Sequence, residues 1–229
     1  MVDDYSSDRE QEEALLNWWR ENRSWIFGGI VLGLALLFGW RWWQAHTTKQ
    51  AEQASVLYQE YQSAAADPAK GKAALDRLVD AHPNSAYTIQ ARLLQAKRHV
   101  EAAQYDEAAT QLRQVVEQAK DDELAQIARQ RLARVLIQQG KHDEAVKLLD
   151  PAKAGAFTAQ VREIRGDAFV AKGDAESARA EYAAALAPNA AGETADAQID
   201  RTLLELKLQQ VGGSVPPAAA PEPLAQDQQ

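Results

Sequence analysis

The chain has 229 residues, no cysteine and a formal net charge of −8 at pH 7. The lack of cysteine excludes thiol catalysis, thiolate metal ligands and disulfide bonds. The acidic balance argues against nucleic acid as a partner, because phosphate binding needs a clustered basic surface. A mean hydropathy of −0.45 is typical of a soluble protein, so membrane insertion is confined to a local segment.

Residues 1–23 begin polar and acidic, then continue as "EEALLNWWREN". The apolar stripe of this stretch is formed by Leu15, Leu16, Trp18 and Trp19. A stripe of this kind predicts a short amphipathic helix that lies on a membrane surface.

The most apolar part of the chain is "SWIFGGIVLGLALLFGW", which carries no charge and is bracketed by Arg23 and Arg41. Together with the two residues after Arg41, it approaches the ~30 Å thickness of a bilayer core at ~1.5 Å rise per residue. Amphipathic side chains that favour the headgroup level mark both ends, namely Trp25, Trp40, Arg41, Trp42 and Trp43. The sequence therefore predicts a transmembrane anchor at 24–43, surrounded by lipid.

Two other interpretations of this segment are weaker. A buried helix of a soluble core explains the apolar run but not the clustered tryptophans or the arginine brackets. A cleaved signal peptide needs a basic start, whereas residues 3–13 hold six acidic side chains and one arginine. No small-residue cleavage site follows the run directly, since Arg41, Trp42 and Trp43 stand there.

Within the anchor, Gly29 and Gly33 form a small-xxx-small pair that would let another helix approach closely. The alternative is that glycine is simply common in membrane helices. Arg9, Arg20 and Arg23 precede the anchor while Arg41 and Lys49 follow it, which favours a cytoplasmic N-terminus by a narrow margin.

After the anchor no helix breaker occurs before Pro68, so the anchor helix is expected to continue into the next domain. Three stretches then resemble one another, at 96–115, 133–152 and 166–185. Their shared small residues are Ala96, Ala133 and Gly166, followed twelve positions later by Ala108, Ala145 and Ala178. A large residue follows four positions after the second small one, at Leu112, Leu149 and Tyr182.

This repetition predicts a stack of helical hairpins in which small residues let paired helices pack closely. Gly140 and Gly173 are expected to end the first helix of a pair. With an earlier unit at about 50–87, the pattern gives about four hairpins. The residues at 193–210 follow as a capping helix, with Ile199, Leu203, Leu206 and Leu208 on its apolar face. The Pro/Ala/Gln-rich stretch at 211–229 is expected to be disordered.

The repeats resemble the tetratricopeptide repeat over about 50–186, except that Arg92, Arg129 and Arg162 stand where an aromatic residue is expected. The resemblance implies an all-α solenoid, following the transmembrane helix, whose first helices line a concave, partner-binding face. The residues placed on that face are Gln90, Leu93, Lys97, Val100, Ile127, Gln130, Arg134, Ile137, Gln160, Glu163, Asp167 and Val170. An equally open alternative is that these side chains only form a solvated surface.

No constellation of residues indicates catalysis. The four histidines have no mutual ligand spacing, and no P-loop, dinucleotide turn, nucleophile elbow or zinc signature occurs, so no metal or cofactor is expected. Acidic residues recur at the hairpin turns, at Asp106/Glu107, Asp143/Glu144 and Asp174/Glu176. Their recurrence at one structural place predicts capping and dipole interactions at helix N-termini rather than an acid/base pair.

The whole layout resembles the YfgM family of Gram-negative bacteria, through "LLNWWREN", "GWRWW", "AEQASVLYQEY" and "REIRGDAFVAKGDAESARAEY". The resemblance implies a single-pass inner-membrane protein with a cytoplasmic tail at 1–23 and a periplasmic repeat domain at 44–210. It further implies a non-enzymatic, ancillary subunit of the SecYEG translocon that works beside the chaperone PpiD and meets unfolded secretory polypeptides. The alternative is a periplasmic repeat scaffold that organises cell-envelope or division proteins.

Overall fold

The computed structural model describes residues 4–187 and 199–214, with side chains from Leu16 onward. These residues form nine α-helices and two short 3-10 helices, and no strand occurs among them. The predicted all-α class is confirmed. The chain divides into two compact units, Met1–Val56 and Leu57–Gln229.

The first unit is helical from Asp4 onward, within the long helix α1, Asp4–Ala64. The stretch at 4–23 belongs to this same helix rather than to a separate short helix. The large apolar side chains of the predicted anchor are exposed, Trp25 to 84% and Phe38 to 69%. By length and composition this helix can cross a membrane, since its most apolar window has a mean hydropathy of 1.5 and none of it is buried.

The second unit begins with the last two turns of α1 and continues as helical hairpins. Its further helices are α2 (Pro68–Ala81), α3 (Ala86–Glu101), α4 (Tyr105–Gln118), α5 (Asp122–Gln138), α6 (His142–Leu148), α7 (Thr158–Lys172), α8 (Ala175–Leu186) and α9 (Arg201–Gln210). The two 3-10 turns, Pro151–Lys153 and Gly155–Phe157, lie between α6 and α7. The paired helices are therefore α3 with α4, α5 with α6, and α7 with α8, preceded by the end of α1 with α2.

The repeated small residues lie where the helices of each pair meet. Ala108, Ala133 and Ala145 are fully buried, and Ala96 is only 2% exposed. At Gly166 the approach is closest, because an added Cβ would lie 2.3 Å from the ring of Tyr182. The small residue of the last repeat therefore has to be glycine, since it makes room for the large residue of the following helix.

The first helices of the pairs end in a left-handed residue, as the sequence predicts. Gly140 has a φ of 74° and Gly173 a φ of 86°. The residue at the equivalent place in the preceding repeat is Ala103, which adopts a φ of 56°. A Cβ makes this conformation unfavourable, so the turn of that repeat is strained relative to the other two.

The second helix of the third repeat is shorter than the sequence pattern indicates, ending at Leu148. Asp150 and Pro151 stop it and begin the first 3-10 turn. The guanidinium of Arg165 on α7 donates to the carbonyl oxygens of Val146 and Leu149, at 3.0 and 2.9 Å. The bond to Leu149 satisfies a carbonyl group just beyond the short helix, and the bond to Val146 adds to the one that its carbonyl accepts from the N–H of Leu149 at 3.3 Å.

Of the acidic residues at the hairpin turns, Asp174 caps its helix by accepting from the backbone N–H of Ser177 at 3.0 Å. The capping half of the prediction is wrong for Asp106 and Asp143, because the N-caps are Gln104 and Lys141. The dipole half holds, because both carboxylates lie in the first turn of their helices. Asp106 instead accepts from Gln139 at 2.9 Å, and Asp143 pairs with Lys172 at 2.6 Å. The Lys172 hydrogen bond lowers the pKa of Asp143. Both carboxylates thus link one repeat to the next.

The capping helix is shorter than predicted and buries a different face. It begins after Asp200, whose carboxylate accepts from the N–H of Leu203 at 3.0 Å. Leu204 and Leu208, four residues apart, are buried, while Leu203 and Leu206 are 47% and 53% exposed. The predicted apolar face therefore holds for Leu208 and fails for Leu203 and Leu206. Residues 193–198 and most of the predicted disordered tail, 215–229, lie outside the described part of the chain.

Candidate functional site

A groove of about 650 Å³ opens between α3 and α5, the first helices of two successive repeats. We call it the α3–α5 groove. It is lined by Leu93, Ala96, Lys97, Val100, Glu101, Tyr105, Leu112, Arg131, Arg134, Val135, Ile137, Gln138 and Asp167. Its size falls in the range of ~300–1,000 Å³ that is typical of ligand pockets.

Six residues placed on the concave face from the sequence meet in this groove, namely Leu93, Lys97, Val100, Arg134, Ile137 and Asp167. The other six do not line it: Gln90, Ile127, Gln130, Gln160, Glu163 and Val170. Gln130 is only 6% exposed, so its side chain offers little surface to a partner. Val170 lines a smaller cavity beside α9. The register derived from the small residues thus brings half of the predicted residues together in one groove.

Several lining residues are not among those placed on the concave face from the sequence. Ala96, Leu112 and Val135 form the buried floor, and Tyr105 contributes from the start of α4. Arg131 lies one turn before Arg134 on α5 and adds a second guanidinium. Helical spacing signals Arg131, because residues three apart share one side of a helix. Tyr105 carries no such signal, since it comes from the other helix of its pair.

The charges around the groove are unevenly paired. Lys97 lies 3.6 Å from Glu101 on the same helix. Asp167 accepts from the ammonium of Lys207 at 2.8 Å and from the hydroxyl of Tyr182 at 2.8 Å. Arg131 and Arg134 are exposed and have no ion-pair partner within the described residues. The uncompensated charge of the groove is therefore positive.

The C-terminal end of the same face is closed by the capping helix. Lys207 of α9 reaches Glu163 at 2.7 Å as well as Asp167, and its ammonium lies 5.9 Å from the centre of the Tyr182 ring. Burial alone would lower the pKa of Lys207, but its hydrogen bonds to the two carboxylates outweigh this effect and raise the pKa. Burial and the nearby Asp167 raise the pKa of Tyr182 strongly.

Two of the three arginines at the unusual repeat position, Arg92 and Arg162, connect the helices of their pairs. Arg92 is 6% exposed and donates to Gln111 at 3.0 Å and also to Gln114. Its burial lowers its pKa. Arg162, at the equivalent position of the last repeat, donates to Glu181 at 3.2 Å. A polar contact between paired helices thus replaces the aromatic packing expected at this position.

The remaining polar features show no catalytic arrangement. A second cavity, of about 690 Å³, lies beside the 3-10 turns and mixes acidic side chains with Arg129, Lys147 and Lys153. Among the described residues, no group of three or more His, Asp or Glu side chains could hold a metal ion. His99 contacts Gln95 and Gln104 at 2.9 and 2.7 Å, within its own hairpin.

Comparison with known proteins places both the anchor and the repeats in one family. A model of the tetratricopeptide repeat-like domain matches residues 16–213. A Haemophilus influenzae protein named ancillary SecYEG translocon subunit is 33% identical over 206 residues, covering 89% of this chain and 98% of that protein. The Escherichia coli protein of the same name is 32% identical and covers 79% of this chain and 87% of its own length.

A Neisseria gonorrhoeae protein with this name is 28% identical over 87% of this chain and 96% of its own length. No solved structure matches the chain. The domain match spans both units of the structure, and the alignments run nearly from end to end of these relatives. The chain therefore belongs to the same family as these proteins, the YfgM family.

Proposed function

We propose that the chain is a non-enzymatic adaptor, anchored in the inner membrane and associated with the SecYEG translocon. The observation that carries this proposal is the alignment with 98% of a relative that is named an ancillary subunit of that translocon. The matched region at 16–213 includes the apolar helix as well as all repeats. A shared interaction surface can therefore lie on either part.

In this proposal the anchor lies among translocon or chaperone helices, with the N-terminus in the cytoplasm and the repeats in the periplasm. Gly29 and Gly33 support a lateral helix contact, because two small residues four positions apart let another helix approach closely on one side. Exposed Trp25, Trp40 and Trp43 would lie at the lipid interfaces.

The repeat unit is proposed to meet the chaperone PpiD or unfolded polypeptides as they leave the translocon. The α3–α5 groove supports this role, because it is open and has an apolar floor that could receive the side chains of an extended segment. Repeat proteins bind partners through such concave faces. The groove supplies no group arranged for bond-breaking chemistry.

Co-purification from cells tests the association. The tagged full-length chain would be isolated in mild detergent and its partners identified by mass spectrometry, beside a variant whose 24–43 segment is replaced by an unrelated apolar helix. We expect SecY, SecE and PpiD with the natural chain. Recovery of peptidoglycan synthases or division proteins without translocon subunits would instead support the scaffold alternative and overturn the proposal.

The replaced-anchor variant assigns the contact to one part of the chain. If it loses translocon subunits while the repeats remain folded, the anchor carries the association. If it retains them, the repeats do. Membrane insertion of the variant, checked by carbonate extraction, is the necessary control.

A further inference from the structure

We propose that the α3–α5 groove binds polypeptide segments in which a carboxylate side chain lies close to apolar side chains. This inference rests on the proposed function and specifies which partner segments the repeats select. It is carried by two features of the groove: its apolar floor and the two arginines beside it that have no ion-pair partner in the part of the chain that the structure describes.

The floor of the groove is apolar and fixed by the core. Leu112 is 2% exposed and Val135 5%, while Leu93, Tyr105 and Ile137 pack against the same buried cluster. Val100 is 39% exposed at the groove. Because Leu112 and Val135 are already buried, the apolar surface that a partner would remove from water belongs to Val100 and to the partly buried Leu93, Tyr105 and Ile137.

The charges of the groove favour a carboxylate. Its two acidic side chains already have cationic partners, since Glu101 lies beside Lys97 and Asp167 accepts from Lys207. Arg131 and Arg134 have none within the described residues. A guanidinium binds a carboxylate through two parallel hydrogen bonds, so an acidic side chain is the group that these two positions recognise best.

The neighbouring repeat shows the same position with the opposite charge. Arg134 and Asp167 are equivalent by the register of the repeats, because they follow Ala133 and Gly166 respectively. At Asp167 the chain supplies its own counter-charge, Lys207 from the next helix. At Arg134 no counter-charge comes from residues 4–187 or 199–214, so a partner can bring the carboxylate. The net charge of the whole chain is −8, so the local charge at these arginines is opposite in sign to that of the chain.

A polypeptide fits these features better than a small anion. A free phosphate or acetate would engage the arginines but leave the apolar floor exposed to water. An extended segment can place one side chain on the arginines and its neighbours on the floor. Its binding would therefore depend on both kinds of contact.

The test uses the full-length chain in nanodiscs of zwitterionic lipid, with empty nanodiscs as the blank. Short fluorescent peptides share one frame of leucine, phenylalanine and alanine and differ only at two positions, which hold glutamate, glutamine or lysine. Fluorescence anisotropy gives each Kd. We expect the glutamate peptide to bind about ten-fold more tightly than the glutamine peptide, and the lysine peptide to bind most weakly.

Three variants separate the contributions. Arg131→Gln with Arg134→Gln should abolish the preference for glutamate and leave binding of the glutamine peptide unchanged. Lys70→Gln with Lys72→Gln removes the same charge from exposed sites on α2 and should change nothing. Val100→Ser should weaken the glutamate and glutamine peptides by the same factor. Circular dichroism confirms that each variant is folded.

Equal binding of the glutamate and glutamine peptides, or an unchanged preference in the double arginine variant, would overturn the inference. So would the absence of measurable binding by any peptide. None of these results contradicts the association with the translocon, which co-purification tests separately. Conversely, glutamate-selective binding by a chain that does not co-purify with SecYEG would support the groove and refute the proposed function.

Discussion

Two parts of the concave face, its end at the capping helix and the α3–α5 groove, differ in how their charges are satisfied. At the last repeat, Lys207 of the capping helix pairs with Glu163 and Asp167 and lies beside the ring of Tyr182. Between the second and third repeats, Arg131 and Arg134 stand beside an apolar floor without an ion-pair partner in the described residues. The end at the capping helix is closed by the chain itself, whereas the α3–α5 groove is open to a partner.

This difference separates residues that stabilise the fold from residues that are available for binding. The polar groups at the closed end are largely removed from water, so breaking their contacts should cost stability. The arginines of the α3–α5 groove remain solvated and contribute little to folding, so replacing them should affect only binding. Stability measurements can therefore test the comparison before any partner is known.

The largest effect is expected at the apolar contact of the capping helix. Leu204 is fully buried, so Leu204→Ala should lower the free energy of unfolding by about 2–5 kcal/mol. Urea unfolding of the full chain in detergent, followed by circular dichroism, gives the value. Leu203→Ala is the matched control, because Leu203 is 47% exposed and should change stability by less than about 0.5 kcal/mol. Equal effects of the two would mean that α9 does not pack as described.

Removing the charge that closes the face should have the next largest effect. Lys207→Met leaves Glu163 and Asp167 close together without a cation, which we expect to cost about 1–3 kcal/mol. Glu163→Gln with Asp167→Asn in the same background should recover part of this loss, since the two carboxylates no longer repel. If the triple variant is no more stable than Lys207→Met, the cluster does not act through charge.

The same cluster predicts a loss of stability in alkali. The pKa of Lys207 is raised on folding, so its stabilisation is complete below the unfolded value of about 10.4 and is lost as the pH rises through the folded value. The raised pKa of Tyr182 acts in the same direction above its unfolded value of about 10. Unfolding titrations on either side of pH 10 should show a decline that is shallower in Lys207→Met with Tyr182→Phe. Burial raises the pKa of Tyr61 to about 12, and this residue is present in both the natural chain and the double variant. Its contribution to the decline is therefore the same in both.

A smaller effect, with opposite signs, is expected at the turns that end the first helices. Ala103→Gly relieves a left-handed alanine and should raise the free energy of unfolding by about 0.5–1 kcal/mol. Gly140→Ala introduces the same strain and should lower it by about 1–2 kcal/mol. Thermal unfolding of the two variants checks the prediction. A destabilising Ala103→Gly would show that the turn of this repeat differs from the other two.

The smallest effect is expected at the α3–α5 groove. Arg131→Gln with Arg134→Gln should change the free energy of unfolding by less than about 0.5 kcal/mol, because neither exposed side chain has an ion-pair partner among the described residues. This result would contrast directly with Lys207→Met. A loss as large as that of Lys207→Met would mean that the arginines serve the fold, and their proposed role in binding would lose its basis.

The register of the repeats was largely predictable, because tight packing between helices demands small residues at fixed spacing. Ala96, Ala108, Ala133 and Ala145 all lie buried where the pattern placed them. The two glycine turns were predictable for a related reason, since the left-handed conformation excludes most side chains. The equivalent turn of the preceding repeat holds Ala103 instead of glycine. Its backbone is left-handed, like that of the two glycines, but this could not be predicted from the residue type.

The parts that the sequence did not reveal depend on contacts between distant residues. Lys207 follows Asp167 by 40 positions, and nothing in the local pattern marks it as the partner of that carboxylate. The early end of α6 depends on Asp150 and Pro151, while Arg165 on the next helix compensates for it. For the capping helix, the exposed leucines at 203 and 206 give an equally plausible periodicity, and only packing against α8 decides between the two faces.

The central claim is that the α3–α5 groove receives a polypeptide. Photo-crosslinking in living cells tests this claim most directly. A photoreactive residue would replace Val100 in the α3–α5 groove and, separately, Leu203 on the exposed side of the capping helix. Adducts with PpiD or with secretory polypeptides at Val100, and few at Leu203, are the predicted result. Equal adducts at both positions, or none at Val100 while the chain still co-purifies with SecYEG, would contradict the account.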